Sequence, residues 1–275
     1  MTDHLVVPWN LHVPDADVHL VGYGMRLPND FTLETLAVLK RCTRVFGLPP
    51  IHAPEFGLPE MEDLCQYYAP DKDRLETYQE WLDIVLEAAD AEPPVALATY
   101  GSAMVGALVT HRILEEAPRR GLTVHVSNAV SSIDGIWADF NIEPFFGFEI
   151  WEATAFVKLG IAPNTRTNLM LPQAPLYGVR GGPDPENSTM EASSTVTRLR
   201  DHLLRFYPPD HEMHFVVTGS GVGPRSANPV IETLTLEQLD HPGRQTLSTL
   251  LVPRLDPENS HRLDFPRPGR NRALV

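Results

Sequence analysis

The chain has 275 residues, of which 43% are hydrophobic and 21% charged, and its formal net charge is −14. That length supports one large domain or two smaller ones with a sizeable core. The charge excludes a general nucleic-acid binder, whose surface must be basic to neutralise phosphates. No apolar run is long enough to span a bilayer, and the N-terminus lacks a basic stretch followed by an apolar one, so neither a membrane segment nor a secretion signal is read. The two cysteines, Cys42 and Cys65, form no CxxC pair. A reducing, cytoplasmic setting is therefore expected. The 26 prolines gather in connecting segments such as 47–60 and 181–187, which predicts stiff turns there.

The residues "VHLVGYG" (18–24) predict a buried strand entering a glycine turn. Residues 31–47 read as a helix, with Thr32 as N-cap, Glu34 in the first turn, and Leu33, Leu36, Val38 and Leu39 on an apolar side. After Arg74, the residues Leu75, Tyr78, Leu82, Val85 and Ala89 recur at helical spacing. "VALATYGSA" (95–103) is a strand entering a turn, 104–116 a helix, 123–127 a strand, and 131–140 a further helix. The alternation continues with strands at 168–173, 213–219 and 248–253 and a helix at 194–207. Strands alternating with helices predict an α/β fold with mainly parallel sheets. The expected division is an N-terminal extension (1–17), an N-terminal α/β subdomain (18–128), a C-terminal α/β subdomain (129–255) and a loose polar tail (256–275).

Three strand-to-turn junctions carry small residues: "VGYGMRLPNDFT" (21–32), "YGSAMVG" (100–106) and "SNAVSSIDG" (127–135). Each by itself reads equally as an ordinary tight turn, and Ser131 and Ser132 suit simple N-capping. Together, at the C-terminal ends of predicted parallel strands, they lie where open α/β sheets bind ligands. The first is neither G-x-G-x-x-G nor a P-loop. None of the 11 histidines falls in a metal-ligand pattern and no G-x-S-x-G elbow exists, so neither a metal site nor a serine hydrolase is read. The stretch "QYYAPDKDRLETYQEW" (66–81) is the most unusual. Arg74 and Tyr78 are one helical turn apart and share a face, with Tyr67 and Tyr68 on the preceding loop. Packing of Tyr78 in the core with Arg74 as a surface charge explains the pattern as well as a site does.

Taken together, these segments resemble the tetrapyrrole methylase superfamily, which uses S-adenosylmethionine. Residues 18–47 resemble its opening strand, glycine loop and helix, 95–106 its second loop and 126–144 its third. The second loop has Gly101-Ser102-Ala103 where the superfamily has G-D-P, and the third has Asn128-Ala129 where it has P-G. The closer resemblance is to borosin-type peptide backbone α-N-methyltransferases, through "YYAPDKDRLETY" (67–78), "FEIWEATAF" (148–156), "LPQAPLYG" (171–178), "HFVVTG" (214–219) and "LSTLLVP" (247–253). A further tyrosine of that branch is Cys65 here, and its Y-G-H-P-G-V loop is "YGSAMV" (100–105).

The resemblance implies two α/β subdomains with S-adenosylmethionine in the cleft between them. It implies that Tyr100, Ala103, Val105, Ser131, Ser132, Gln173, Gly219, Ser248 and Thr249 line the cofactor, and that Arg74, Tyr78 and Tyr68 face the reacting group. It further implies N-methylation of backbone amides in a ribosomal peptide and a homodimer. No helical clasp or core peptide is read after Leu255, so a separate precursor peptide is expected. The loop departures leave open a small natural product or tetrapyrrole-like ring as substrate, a peptide side chain or terminus as acceptor, and a cofactor-binding regulator without turnover.

Overall fold

The computed structural model describes residues 11–69, 71–176, 189–190, 194–219, 228–240, 244–245 and 248–255. The expected tail at 256–275, residues 1–10 of the expected extension and the proline-rich turn at 181–187 lie outside these. The first sheet comprises β1 (Val18–Gly22), β2 (Arg44–Leu48), β3 (Glu62–Asp63), β4 (Val95–Thr99) and β5 (Val124–Val126), in the order β3-β2-β4-β1-β5. Every pair in it is parallel. The strands alternate sides, as a pleat requires. Leu20, Phe46, Val95 and Leu97 pack against α2 (Arg74–Ala91) and α3 (Leu108–Glu116). Val21, Val45, Ala96 and Ala98 pack against α1 (Leu33–Arg41) on the other face.

Helix α1 begins as expected, with the Thr32 side chain accepting from the Thr35 N–H. It ends at Arg41, however, and Arg44–Leu48 is a strand, not the last turns of the helix. Val45 and Phe46 are fully buried on opposite faces, and β2 is paired on both edges. Two rows of ladder hydrogen bonds and burial on both sides outweigh the helical spacing of 31–47. Helix α2 is capped by Asp73, whose carboxylate accepts from the Leu75 N–H. Its buried face is Thr77, Trp81, Leu82, Val85, Leu86, Ala88 and Ala89. Leu75, expected on that face, is 53% exposed; the residue of the first turn that is buried is Thr77, whose hydroxyl lies against the Tyr67 carbonyl.

The second half holds α4 (Ser132–Phe140), β6 (Phe148–Ile150), α5 (Ala153–Lys158), β7 (Asn168–Leu171), β8 (Thr189–Met190), α6 (Ser194–Leu203), β9 (Glu212–Val217), β10 (Val230–Thr235), β11 (Arg244–Gln245) and β12 (Thr249–Val252). Five strands form a second sheet in the order β10-β9-β12-β7-β6, and β8 pairs with β11. One face carries Leu169, Leu171, Met213, Phe215, Leu250 and Val252 against α5 and α6. The other carries Met170, Val216 and Leu251 against α4 through Ile136, Ile133, Trp137 and Phe140. The parallel character expected of the sheets is complete in the first. The second is mixed: β6 and β7 are parallel, whereas β12 runs antiparallel to both β7 and β9, and β10 runs antiparallel to β9. Among the described residues no helix is long and apolar enough to cross a membrane.

At the C-terminal end of the first sheet the loops are in backbone contact. The N–H of Gly24 donates to the Gly101 carbonyl (3.1 Å) and the N–H of Gly101 to the Gly24 carbonyl (2.9 Å), joining the loops after β1 and β4. A Cβ on Gly22 would stand 2.2 Å from the Gly101 oxygen, 2.6 Å from the Ala129 Cβ and 2.9 Å from the Ser102 Cα. Only glycine permits that approach of three chain segments. Gly22→Ala is therefore expected to destabilise the protein by about 2–3 kcal/mol, and a thermal melt within a degree of the parent would contradict the contact.

His19, on β1, is 1% exposed and lies edge-on to His125 at 5.6 Å. Neither of its ring nitrogens has a hydrogen bond of good geometry. Burial, then the neighbouring His125 and Arg41, push its pKa down to about 4, with the Ala16 backbone and then Asp15 opposing. The folded state thus refuses a proton that the unfolded chain takes up below its ordinary value of about 6.5. The stability this contributes is complete above that value and is lost as the pH falls towards the folded pKa, by about 2 kcal/mol between about pH 7 and pH 5. Urea denaturation of the parent and of His19→Leu across that range checks this: equal pH slopes would refute it.

Candidate functional site

The C-terminal edge of the first sheet presents its loops in strand order. The turn 65–68 follows β3, Pro49 and Pro50 follow β2, Tyr100 to Ala103 follow β4, Tyr23 to Met25 follow β1 and Ser127 to Ser131 follow β5. Tyr23 is fully buried and its hydroxyl donates to the Pro49 carbonyl at 2.9 Å, tying the first loop to the end of β2. Its ring lies 6.2 Å from that of Tyr100, which is half-buried. Burial, then Cys65 and Tyr100, raise the Tyr23 phenol well above its usual pKa.

Cys65 links this group to the tyrosines of the next segment. The Cys65 N–H donates to the Asp63 carboxylate at 2.7 Å, and burial followed by that carboxylate pushes the thiol up to about 12. Tyr68, Tyr78 and Trp81 form a triangle of rings, with Tyr68 edge-on to Trp81 at 4.8 Å, Tyr78 tilted on Trp81 at 5.2 Å, and the two tyrosines 6.4 Å apart. Trp81 is buried and its indole N–H donates to the Leu64 carbonyl at 2.7 Å, which locks the triangle to the turn after β3. Burial, the adjoining Tyr78 and then Cys65 raise the Tyr68 phenol well above its usual value, with the Arg74 cation opposing. Tyr68 is thus a neutral hydrogen-bond donor at physiological pH.

Arg74, Tyr78 and Tyr68 are therefore brought together. The two tyrosines pack on the core that α2 shares with the sheet. They also remain half-buried, as Arg74 does. Arg74 is the first residue of α2, directly after the Asp73 N-cap and at the positive end of an 18-residue helix.

The nine residues expected around the cofactor divide into two groups. From the first sheet, Tyr100 and Val105 reach the surface, whereas Ala103 is fully buried and its carbonyl accepts from Thr110 Oγ1 at 2.5 Å. Ser131 is the N-cap of α4, and its hydroxyl and N–H both donate to Asp134 in a capping box. Ser132, the first residue of that helix, is half-buried. From the second sheet, the register Leu250↔Leu171 sets Ser248 opposite Gln173 at the end of β7. The register Thr249↔Val216 brings the same end beside Thr218 and Gly219, which follow β9. Ser248, Thr249 and Gly219 are buried, and Gln173 is exposed. Gln173 has φ 52°, a left-handed conformation that a residue with a Cβ adopts at a cost.

Helix α4 connects the two groups. A Cβ on Gly101 would lie 3.9 Å from the Ser131 Cα at its start. One turn on, a Cβ on Gly135 would stand 2.4 Å from Thr218 Oγ1, which donates to Asp139 at 2.8 Å. Asp139 in turn lies within electrostatic reach of Arg26, whose guanidinium forks onto Asp30 at 2.8 and 3.2 Å in the loop after β1. Trp81, Tyr23, Asp139 and Arg26 were not singled out from the sequence. Trp81 alone had a signal, being one turn from Tyr78 on the same helix face.

The sequence pattern of the Tetrapyrrole (Corrin/Porphyrin) Methylases matches residues 17–223. Among curated proteins, the chain is 27% identical over 266 residues to a methyltransferase/ribosomally synthesized type I borosin cyclic peptide precursor of Serendipita vermifera subsp. bescii, covering 92% of this chain and 62% of that protein. It is 28% identical over 229 residues to the methyltransferase/ribosomally synthesized dendrothelin A precursor of Dendrothele bispora, covering 81% of this chain and 53% of that protein. The chain thus spans little more than half the length of these relatives. Among solved structures, uroporphyrin-III C-methyl transferase from Thermus thermophilus, complexed with S-adenosylhomocysteine, superposes with a TM-score of 0.56 at 18% identity, covering 86% of this chain and 96% of that one. The two α/β sheets have the architecture of that fold, and with three quarters of its length matched by the family pattern, the chain belongs to the tetrapyrrole methylase family.

Proposed function

We propose that this chain is an S-adenosylmethionine-dependent methyltransferase that N-methylates backbone amides of a ribosomal peptide. The observation that carries the reading is the Arg74, Tyr68 and Tyr78 cluster, which stands at the same sheet edge as the three small-residue loops. Relatives whose names join a methyltransferase to a peptide precursor support the peptide as acceptor. The homodimer that the borosin resemblance implies belongs to the same reading.

The residues around α4 suit S-adenosylmethionine. The ligand needs an apolar slot for a purine, hydroxyl and amide partners for a ribose, and close backbone approach for a zwitterionic tail. Tyr100, Val105 and the Gly101 backbone serve the first and last of these needs. The Gln173 carboxamide, held outward by its left-handed backbone, and the hydroxyls of Ser132, Ser248 and Thr249 serve the second. Ser131 contributes through the placement of α4, since its own hydroxyl is committed to Asp134. Bound there, the cofactor supplies an electrophilic methyl group.

An amide nitrogen is a poor nucleophile because its lone pair is delocalised into the carbonyl. To take the methyl group, it must lose its proton while negative charge moves to the amide oxygen. Arg74, with the N-terminus of α2 behind it, holds fixed positive charge against that oxygen. Tyr68, neutral and packed against Trp81, donates a hydrogen bond to the same developing charge. Tyr78, beside Tyr68 and half-buried, relays the amide proton, taking it on its hydroxyl oxygen as its own hydroxyl proton passes to solvent. The Trp81 ring fixes both phenols and excludes water from one side.

Calorimetric titration with S-adenosylhomocysteine, followed by mass spectrometry of peptides incubated with S-adenosylmethionine, tests the reading. Binding and a product heavier by one methyl group for hydrogen are expected. Arg74→Ala should lower kcat by about 10²–10³-fold with unchanged S-adenosylhomocysteine affinity. Arg74→Lys should recover only part of this, because an ammonium lacks the planar fork. Failure to bind either nucleotide would sink the assignment. A full-rate Arg74→Ala would remove Arg74 from the chemistry.

A further inference from the structure

The outer strand of the second sheet is open along one side. β10 pairs with β9 in one antiparallel register, from Val230↔Val217 to Thr235↔Glu212, and stands last in the order β10-β9-β12-β7-β6. Among the described residues no strand pairs with its other side. Val230 and Ile231 point to opposite faces of the sheet and are 52% and 43% exposed, so neither face is covered at that end. Glu232 and Thr233, which follow, are exposed too.

The register tells which main-chain groups face outward. In an antiparallel ladder alternate residues bond to the neighbouring strand, and those between them turn their N–H and C=O away. The Leu236 N–H donates to the His211 carbonyl at 3.0 Å, which carries the same register one residue past Thr235↔Glu212. The residues of β10 bonded to β9 are thus Val230, Glu232 and Leu234, and Ile231, Thr233 and Thr235 face outward. The Thr235 N–H accordingly donates to the Gln238 side chain, at 3.1 Å, which closes that end of the edge. Pro229, with no N–H, closes the other. Between them the N–H and C=O groups of Ile231 and Thr233 have no partner among the described residues. Exposed edges are commonly blunted by proline, charge or a covering segment; here the two ends are closed and the middle is left open.

Donors and acceptors in a row at strand spacing fit one kind of ligand, an extended peptide backbone. The open stretch also begins beside the site. Val230 lies opposite Val217, and β9 leads from there to Thr218 and Gly219, at the end of the sheet that holds Ser248 and Gln173. A strand added to β10 would run about 14 Å from β12, three strand spacings away. About four or five extended residues span that distance. Pairing with a second copy about the middle of the open stretch would set two Glu232 carboxylates opposite each other, in chains that each carry a net charge of −14.

We propose that the outer edge of β10 takes the peptide acceptor as an added strand, docking a segment about four or five residues away from the amide being methylated. The proposal rests on the reading of the chain as a peptide N-methyltransferase. Because the bonds are made by main-chain groups, docking tolerates many side chains. It is sensitive to the product, however. An N-methylated residue has no N–H to donate and carries a methyl group where the ladder must close. The edge therefore holds unmodified segments and sheds methylated ones.

The test uses the protein saturated with S-adenosylhomocysteine and two labelled peptides of one sequence, rich in Val and Thr and about ten residues long. One is unmodified and the other is N-methylated at consecutive central residues. The unmodified peptide should bind at least about tenfold more tightly. Ile231→Pro removes an outward N–H and sets a ring in its place. That N–H lies outside the ladder with β9, so the variant should fold, as prolines on edge strands do. It should bind the unmodified peptide about tenfold more weakly, with S-adenosylhomocysteine affinity unchanged. In the parent itself, exchange of the Ile231 and Thr233 amide protons should slow about tenfold on addition of the unmodified peptide. Equal affinity for the two peptides, a folded Ile231→Pro that binds like the parent, or no slowing of those two amides would each overturn the edge. So would a parent that binds no peptide and a dimer that Ile231→Pro splits, since the edge would then pair two copies. Methyl transfer to a peptide with the same KM in the parent and Ile231→Pro would defeat the docking edge while the proposed function stands. Peptide binding that depends on the edge, with no methylated product from any peptide, would uphold the edge and defeat that function.

Discussion

The close approach at Gly22 governs where everything else in the site can be. With no side chain there, the backbone of Gly101, the Cα of Ser102 and the methyl of Ala129 close onto the end of β1. The Gly24 to Gly101 hydrogen bonds then fix the loops after β1 and β4 in one relative position. A parallel sheet directs its C-terminal loops to one edge, but it does not by itself hold them against one another. Here the contact is backbone on backbone, with Met25 buried beside Gly101, and it leaves the side chains of Tyr100 and Val105 to define what faces outward. Tyr23 adds a second tie, because its hydroxyl reaches across to the Pro49 carbonyl at the end of β2.

Helix α4 carries this rigidity to the second sheet. Its N-terminus lies by Gly101 and its middle lies on Thr218, through a glycine at position 135 that no larger residue could replace without moving the threonine. Its apolar face, with Ile136 fully buried, packs on Met170, Val216 and Leu251. The end of the second sheet that holds Gln173, Ser248 and Gly219 is thereby referred to the loops of the first. The antiparallel placement of β12 serves the same arrangement. Entering the sheet at Ser248, it sets its N-terminal hydroxyls beside the C-terminal ends of β7 and β9. A wholly parallel second sheet would send the start of β12 to the opposite end.

Periodicity made most of the elements legible, and its failures have local causes. The strand β1, the helix α2 and the capping of α1 by Thr32 all follow from patterns within a few residues. The strand β2 was hidden because 31–47 reads as one amphipathic run, and only pairing with β4 and β3 makes its last residues extended. Leu75 fits the α2 stripe by spacing but is exposed while Thr77 in the same turn is buried, because what covers the start of the helix is the turn after β3, something a helical wheel cannot know. The polarity of the second sheet was likewise invisible, since strand direction is set by connections and not by the pattern within a strand. In the site, the pairing of Arg74 with Tyr78 is legible from their spacing. The convergence of Gln173, Ser248 and Gly219 rests on register between strands far apart in sequence, so the residues alone carry no signal of it.

The electrostatics of the edge limit how the chemistry can be divided. Tyr68, Tyr23 and Cys65 all lie where burial holds them in their neutral forms, Cys65 with its pKa pushed up to about 12. None of the three supplies a standing negative charge near Arg74, so the guanidinium there is not offset by a nearby phenolate or thiolate. Positive charge held in a partly dry setting acts most strongly on a group that becomes anionic during the reaction. A group already anionic, such as a carboxylate, would be drawn to the same charge in the ground state and gain little in rate. The neutral phenols therefore do more than line a wall. As neutral groups they add no anion of their own to the Asp73 carboxylate that caps α2 beside Arg74, and in the proposed methyl transfer such a setting suits an acceptor that starts neutral, as a backbone amide does.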